Sequence, residues 1–304
     1  MNYTLHQLQI FEAVARKKSI TKAAESLHMT QPAVSIQIKQ LQNSVGTPLI
    51  KYSGKTLFLT EAGEELLRVQ QTIKTQTDAF EAYVSELKGG LKGTLSVSAA
   101  STAKYFLPYL LGAFQKRYPG IKISLKVTNR DEVLSHLYEN EYQLAILTQL
   151  PADKTITAES FLSNPLVMAC PADHPLANKK NLSLGDLKNE PFIYRESGSG
   201  TRMVMERELK AAGIYPEKTM ELATNEAVKQ AIMAGIGISL ISELSMTSEL
   251  RTGMISTIDL QGYPIQTHWH VLYKHDKIIS RVFLNFIEFL RHEQITSYLP
   301  GYSA

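Results

Sequence analysis

A single cysteine, Cys170, stands in 304 residues. No disulfide can therefore form within the chain, and a reducing compartment is expected. No apolar run is long enough to cross a bilayer, so an integral helical membrane protein is excluded and no membrane partner is expected. The opening segment, MNYTLHQLQIFEAVARKKS, lacks a charged-then-apolar export pattern, and a cytoplasmic chain is expected. Metal-ligand clusters are missing too: His268 and His270 alternate on one extended run, but no Cys/His group joins them. There is no G-x-x-x-x-G-K-[ST] loop, and Ser199 lies in SGSG, where a nucleophile elbow would need glycine at Ser197. Cys170, beside Pro171 at a strand end, reads as a small packed residue. No enzyme and no cofactor are expected.

The length and 44% hydrophobic content allow two or three domains. Net charge is only +3, but it is unevenly spread. Residues 1–60 hold Arg16, Lys17, Lys18, Lys22, Lys39, Lys51 and Lys55 against Glu12 and Glu25, a surplus of +5 that leaves −2 for the rest. A basic head on a slightly acidic body fits one polyanion-facing end, although ordinary fluctuation could give the same figure.

Leu5, Leu8, Phe11, Val14 and Ala15 recur at helical spacing, which predicts an amphipathic helix over 4–17. Ser19 or Thr21 can cap a second helix to about Leu27, burying Ala23, Ala24 and Leu27. Thr30 can cap a third, where Pro32 is tolerated because a first-turn N–H has no helical partner. In that helix Val34, Ile38 and Leu41 form a core stripe, and Gln31, Ser35, Lys39 and Gln42 a separate polar one, with Ile36 and Gln37 beside it. Glutamine and serine suit base edges in the major groove, isoleucine can meet thymine methyls, and helix N-terminal N–H groups can face phosphate. A solvated polar face would look the same.

Next, GTPLIKYSGKTLFLT (46–60) places two extended runs around Ser53, Gly54 and Lys55, a hairpin with a basic tip. A hairpin beside a helix-turn-helix is a wing, placed to touch DNA. The stretch from LHQLQIFEAVARKKSITKAAESLHMTQPAVSIQIKQLQ through GTPLIKYSGKTLFLTEAGEELL resembles the winged helix-turn-helix of LysR-type transcriptional regulators. The match is long and nearly gapless. The resemblance implies that Thr30, Gln31, Pro32, Ser35, Ile36 and Lys39 approach bases or nearby phosphates. Ser19, Thr21 and Lys22 would hold the backbone, and Ser53, Lys55 and Thr56 would make the wing contact. Ile36 stands where the family usually has Arg, which removes one base or phosphate contact; Ile50 and Tyr52 stand where Phe and Arg are frequent.

Between Ala62 and Leu87 the only glycine is Gly63 and proline is absent. Leu66, Ile73, Phe80 and Leu87 are seven apart, with Val69 or Gln70, Thr77 and Val84 between them, a heptad seam for a dimer. A helix packed on its own body would need a similar stripe. GGLKG (89–93) ends the helix and makes a hinge.

After Gly93 strand-like and helix-like segments alternate: TLSVSAA, YFLPYLLGAFQKRYP, IKISLKVT, DEVLSHLYENE, QLAILT, PLVMACP, PFIYRE, GTRMVMERELKAAG, KTMELAT, NEAVKQAIMAG, IGISLIS, HWHVLYK and RVFLNFIEFLRHE. The alternation predicts an α/β body with parallel sheets covered by helices. Ligands in such sheets sit at carboxyl ends of strands beside helix starts. SAAST (98–102) and YRESGSGTR (194–202) occupy such junctions and could hold an anion or merely cap helices. Two glycines and two arginines, Arg195 and Arg202, exceed what a cap requires.

The body also resembles the family's effector domain, two subdomains and a cleft like a periplasmic binding protein. NPLVMACPADHPLA, EPFIYRESGSGTR, NEAVKQAIMAGIGISLIS and GYPIQTHWHVLYKHDK are most similar to the branch that regulates carbon-fixation (RuBisCO) operons, whose effectors include phosphorylated metabolites and NADPH. The resemblance implies a winged head at 1–61, a dimerisation helix at 62–88 and an effector domain at 89–304. Its subdomain I would hold about 93–163 and 268–304, and subdomain II about 164–267. Ser101, Thr102, Thr148, Gln149, Ser199, Thr201, Arg202 and Asn225 would line the cleft. The implied partners are double-stranded promoter DNA, a small anionic metabolite, a second copy in a homodimer extending to a homotetramer, and RNA polymerase. The rival reading is a solute-binding protein without DNA function.

Overall fold

The computed structural model describes residues 3–54, 56–87, 90–216, 218–275, 280–292 and 294–299. The chain divides into two compact units, Met1–Phe80 and Glu81–Ala304. Among the described residues, no helix is long and apolar enough to cross a membrane.

In the first unit, α1 (Leu5–Lys17) opens on a capping box: Thr4 Oγ1 accepts from Gln7 N–H at 3.2 Å, and Gln7 Oε1 from Thr4 N–H at 3.0 Å. Leu8, Phe11, Val14 and Ala15 are buried as their spacing predicts. Leu5, expected inside, is 54% exposed because it lies in the first turn, outside the core cluster; Ile10 is buried instead. α2 (Ile20–Ser26) is capped by Ser19, whose Oγ accepts from Lys22 N–H, and it buries Ala23 and Ala24. Leu27 is only partly buried. α3 (Gln31–Val45) starts at Thr30, keeps Pro32 in its first turn and buries Val34, Ile38 and Leu41. β1 (Ile50–Ser53) and β2 (Thr56–Leu59) pair antiparallel as the wing. The tip residue Lys55 lies outside the described residues.

Gln42, read from sequence as part of an exposed stripe, is a structural group. Its Oε1 accepts from the N–H of Leu49 at 2.8 Å and of Ile50 at 3.3 Å, joining α3 to the wing. α4 (Glu61–Leu87) is capped by Thr60 Oγ1, which accepts from Gly63 N–H at 3.1 Å. Gly63 meets the backbone of Leu49 so closely that a Cβ would lie 2.0 Å from its carbonyl oxygen. Along α4 the heptad positions part company: Leu66 and Ile73 pack into the head's own core, while Phe80 is exposed. The first two seam positions thus also serve the head's own core, Leu66 buried in it and Ile73 partly buried against it. The side chain of Leu87, with Lys88 and Gly89, lies outside the described residues.

The second unit alternates strand and helix: β3 (Gly93–Ala100), α5 (Leu107–Arg117), β4 (Ile121–Thr128), α6 (Arg130–Tyr138), β5 (Leu144–Leu147), β6 (Ile156–Pro171), β7 (Phe192–Arg195), α7 (Gly200–Ala211), β8 (Lys218–Leu222), α8 (Asn225–Met233), β9 (Ser239–Ser242), α9 (Thr247–Arg251), β10 (Ile255–Thr257), β11 (Ile265–Lys274) and α10 (Arg281–His292). The sheets are mixed, not purely parallel. β4, β3 and β5 run parallel, as do β7 and β8, but β11 is antiparallel to β5 and β6, and β9 and β10 are antiparallel to β6. The crossover rule fails for β6 and β11 because the chain passes between two cores through them. Leu162 and Trp269 lie in a core with Val97, Phe106, Phe114 and Phe286, whereas Leu166, Met168 and Ile265 pack in one with Phe192, Val204 and Leu240. PLVMACP, read as a strand of its own, is the second half of β6.

A buried polar knot marks the crossing. Asn164, 2% exposed, donates to Thr267 Oγ1 at 2.8 Å, and its Oδ1 accepts from Ser242 at 2.6 Å. Near the end of α10, Arg291 grips Glu159 of β6 with two N–H donors at 2.6 and 2.7 Å; this bond is the chief reason that the Glu159 carboxyl is held below the ordinary carboxylate range.

Two outcomes follow from this packing. Gly63→Ala should destabilise the head by at least about 1–3 kcal/mol, since the new methyl meets backbone that cannot swing away; guanidinium unfolding with loss of promoter affinity checks it. The Glu159 pairing contributes stability above the unfolded carboxylate pKa, which is lost as pH falls through the lower folded value. Arg291→Met should therefore lower thermal stability at neutral pH and flatten its acid dependence below about pH 5, the range set by an unfolded Glu pKa of about 4.3, as read by melting curves at stepped pH.

Candidate nucleic-acid interface and effector cleft

Twelve of the twenty site residues named from sequence lie on the head. Gln31, Pro32, Ile36 and Lys39 of α3 are exposed and Ser35 is half-buried, with Gln31 Nε2 donating to Ser35 Oγ at 3.1 Å. Ile36 presents an apolar side chain at 55% exposure, costly in water unless something covers it. Thr21, Lys22, Thr30, Ser53 and Thr56 are exposed and Ser19 is half-buried. Ser19 and Thr30 spend their hydroxyls as caps. The helix-turn-helix, its polar face and the described part of the hairpin thus belong to one small unit.

In the second unit a cleft forms where strands end and helices begin. Ser101 and Thr102 reach it from the end of β3, Thr148 and Gln149 from the end of β5, and Ser199 and Thr201 from the loop between β7 and α7. Ser199 occupies the cap position of α7 yet makes no side-chain cap bond, and no side-chain cap closes the 3-10 turn Ser101–Tyr105. The first N–H groups of α7 thus lack a side-chain acceptor at the cleft wall, where a helix dipole favours negative charge. Gly198, at φ +83°, lets the loop approach α6: a Cβ there would lie 2.9 Å from Asp131 Oδ2.

Two residues named from sequence are not cleft-lining. Arg202 turns away, with Nε on Glu206 at 2.7 Å and Nη1 on Glu221 at 2.9 Å and on the Arg195 carbonyl at 2.9 Å. Three acceptors already hold it, so its charge is spent outside the cleft. Asn225 is a buried second layer, bonded to Arg195 Nη1 and donating to Thr102 Oγ1 at 3.2 Å.

Sequence reasoning weighed Arg195 without selecting it and missed Asn129, Arg130, Asn164, Glu196 and Trp269, all lining residues. Arg195, 3% exposed, donates a fork to the Glu196 carboxylate at 2.8 and 2.9 Å and donates to Ser101 Oγ at 3.0 Å. Arg130 donates to the Gln149 carbonyl at 3.0 Å and to Asp131 at 3.0 Å. Asn129 and Arg130 follow β4 at a strand-to-helix junction like the others, so the rule that found SAAST could have found them. Trp269, mid-strand, carries no such signal.

Beside the cleft, Glu226 at the start of α8 is drawn upward by burial. Hydrogen bonds from Lys104 and Tyr105, with the charges of Lys104 and Lys229, outweigh that and hold its carboxyl below the ordinary range. Tyr105 is pushed well up by burial and by Glu226, so it remains a phenol and donates at 2.5 Å. The wall facing α8 is therefore an ion-paired cluster, and the two guanidinium groups of the cleft are paired as well, Arg130 with Asp131 and Arg195 with Glu196.

Comparison with known proteins agrees with this arrangement. Residues 5–64 match the model of the bacterial regulatory helix-turn-helix protein, lysR family, and residues 88–294 that of the LysR substrate binding domain. The chain is 42% identical to the HTH-type transcriptional activator CmpR of Synechocystis over 97% of its length and 98% of that protein's. It is 41% identical to the RuBisCO operon transcriptional regulator of Allochromatium vinosum, over 96% and 97%. Among solved structures, the Synechocystis CcmR regulatory domain in complex with 2-PG superposes with a TM-score of 0.63 at 38% identity, covering 65% of this chain and 95% of that one. The matched head sets aside the reading as a solute-binding protein without DNA function. The chain belongs to the LysR family, and it is a DNA-binding transcriptional regulator with an effector-binding domain, not an enzyme.

Proposed function

We propose that the effector is a small phosphorylated carboxylate, held in the cleft between the two cores, and that the regulated genes serve carbon fixation. One observation carries the effector class: two guanidinium groups, Arg130 and Arg195, share a cleft with the start of α7, which no side chain caps. Phosphate suits a helix start and carboxylate suits a guanidinium fork. The complex of the similar CcmR regulatory domain with 2-PG, 2-phosphoglycolate, supports that class, and the similarity to RuBisCO operon regulators supports the target.

The proposed division is a winged head at 1–61, a connecting helix at 62–88 and an effector domain at 89–304. That domain has subdomain I at about 93–163 and 268–304 and subdomain II at about 164–267. On the head, Gln31, Ser35, Ile36 and Lys39 enter the major groove, while Ser19, Thr21, Lys22, Thr30 and Pro32 lie toward the phosphates and Ser53 and Thr56 serve the wing. The exposed Ile36 supports this, since thymine methyls would cover it. Homodimerisation uses the outer part of α4, where Val69, Phe80 and Tyr83 are exposed at 40%, 66% and 46%. Val69 and Phe80 are themselves seam positions, and Tyr83 adjoins Val84 of the same seam. Pairing of bodies gives a tetramer on two DNA sites, in reach of RNA polymerase. Effector binding favours one closure of the cleft over another and so changes the spacing of the heads.

Promoter affinity should fall steeply with salt: a dimer making six to ten phosphate contacts loses roughly 10³–10⁵ between 50 and 200 mM, and a flat response in a filter-binding series would refute the interface. Replacing Gln31 and Ser35 together with alanine should cost about 1–3 kcal/mol of discrimination per lost base contact while leaving non-specific binding in place. In calorimetry with 2-phosphoglycolate, Arg130→Gln should weaken binding roughly ten- to a hundredfold, the worth of a charged hydrogen bond. Arg202→Ala, whose pairs lie outside the cleft, should leave that affinity within about twofold.

A further inference from the structure

We propose that Trp269 is a specificity-determining donor of the cleft: its indole Nε1–H bonds an acceptor oxygen of the bound anion. The inference rests on the effector reading above and narrows it, because every ligand must then offer an acceptor at that depth.

Trp269 is 1% exposed and lines the cleft. Its ring packs on Phe106, centroids 4.9 Å apart at 54°, so the indole is held in place by the first core. Among the described residues, no acceptor lies within hydrogen-bonding reach of Nε1, although the atom is buried. Buried tryptophan N–H groups usually find a partner, and a buried donor without one is costly. Trp269 thus differs from Arg195, Arg130 and Asn164 at the cleft, which already have protein partners. The register between β6 and β11 shifts between Trp269 and His270, and such bulges re-aim side chains beside functional sites.

An indole N–H donates and cannot accept. A phosphoryl or carboxylate oxygen satisfies it; an ammonium group does not. The cleft would then reject polyamines, which offer no acceptor, on hydrogen-bond grounds as well as on charge, since an analogue that leaves a buried donor unmet loses most of its affinity.

Trp269 is the sole tryptophan of the chain, so full-length protein labelled with 15N-tryptophan gives one indole resonance. On titration with 2-phosphoglycolate, that proton should move downfield and exchange more slowly with solvent, with the midpoint that calorimetry gives. Trp269→Phe, which keeps a ring against Phe106, should weaken 2-phosphoglycolate about tenfold while thermal melting and effector-free promoter affinity stay near wild type. Should that variant fail to fold, the resonance of the native chain still decides. Calorimetric binding with an unmoved or upfield-shifted indole proton overturns the role of Trp269 and leaves the effector class standing. No heat with 2-phosphoglycolate overturns the effector class, and this inference with it.

Discussion

A guanidinium taken out of water is destabilising unless its donors are met, and the body is arranged around that requirement at Arg195. The side chain sits at the end of β7 at 3% exposure, and its donors go to Glu196, Asn225 and Ser101. Those partners come from different stretches of chain. Ser101 follows β3 of the first core, and Asn225 opens α8 beside the second. Meeting one buried charge therefore ties the strand ends of both cores together and places hydroxyls around a fixed positive centre. Hydroxyls held in place this way can meet a ligand without reordering side chains, which is where affinity is usually lost.

The two long strands β6 and β11 connect the two cores. They are the elements that enter both cores, and at their crossing the contacts are polar: Asn164, Thr267 and Ser242. Closely packed apolar contacts resist sliding, whereas an antiparallel ribbon can twist while its ladder stays intact. A ligand that differs in affinity between two degrees of closure can shift the balance by no more than that difference.

The head follows a separate logic. Its core is small, so it recruits α4: Leu66 and Ile73 join Leu8, Phe11 and Val34, and Gly63 lets the helix touch the wing's backbone. Small domains bury a modest share of their surface and need every such contribution. That recruitment shows why a heptad pattern by itself does not name its partner. A seven-residue apolar repeat is indifferent to whether its partner is the same chain or another.

Three helices, two of their caps, the wing and the family were all legible in sequence. Each rests on local rules: Ser19 and Thr30 accept from N–H groups three residues on, and apolar spacing of three and four marks a buried face; the Thr4 cap came from the structure alone. Six of the eight residues named for the cleft do line it, because loops at strand ends next to helix starts converge in any α/β sheet. What the sequence by itself determined was therefore the elements and the polar loops between them. Only the tertiary structure decided which arginine faces the cleft, and it chose Arg195 and Arg130 over Arg202. Arg202 found Glu206 on its own helix and Glu221 on the neighbouring strand, and no local pattern ranks competing acceptors. Trp269 and the two-core path of β6 and β11 were decided there as well, for the same reason: side-chain partners and strand neighbours far apart in the chain are chosen by packing, which no window of sequence contains.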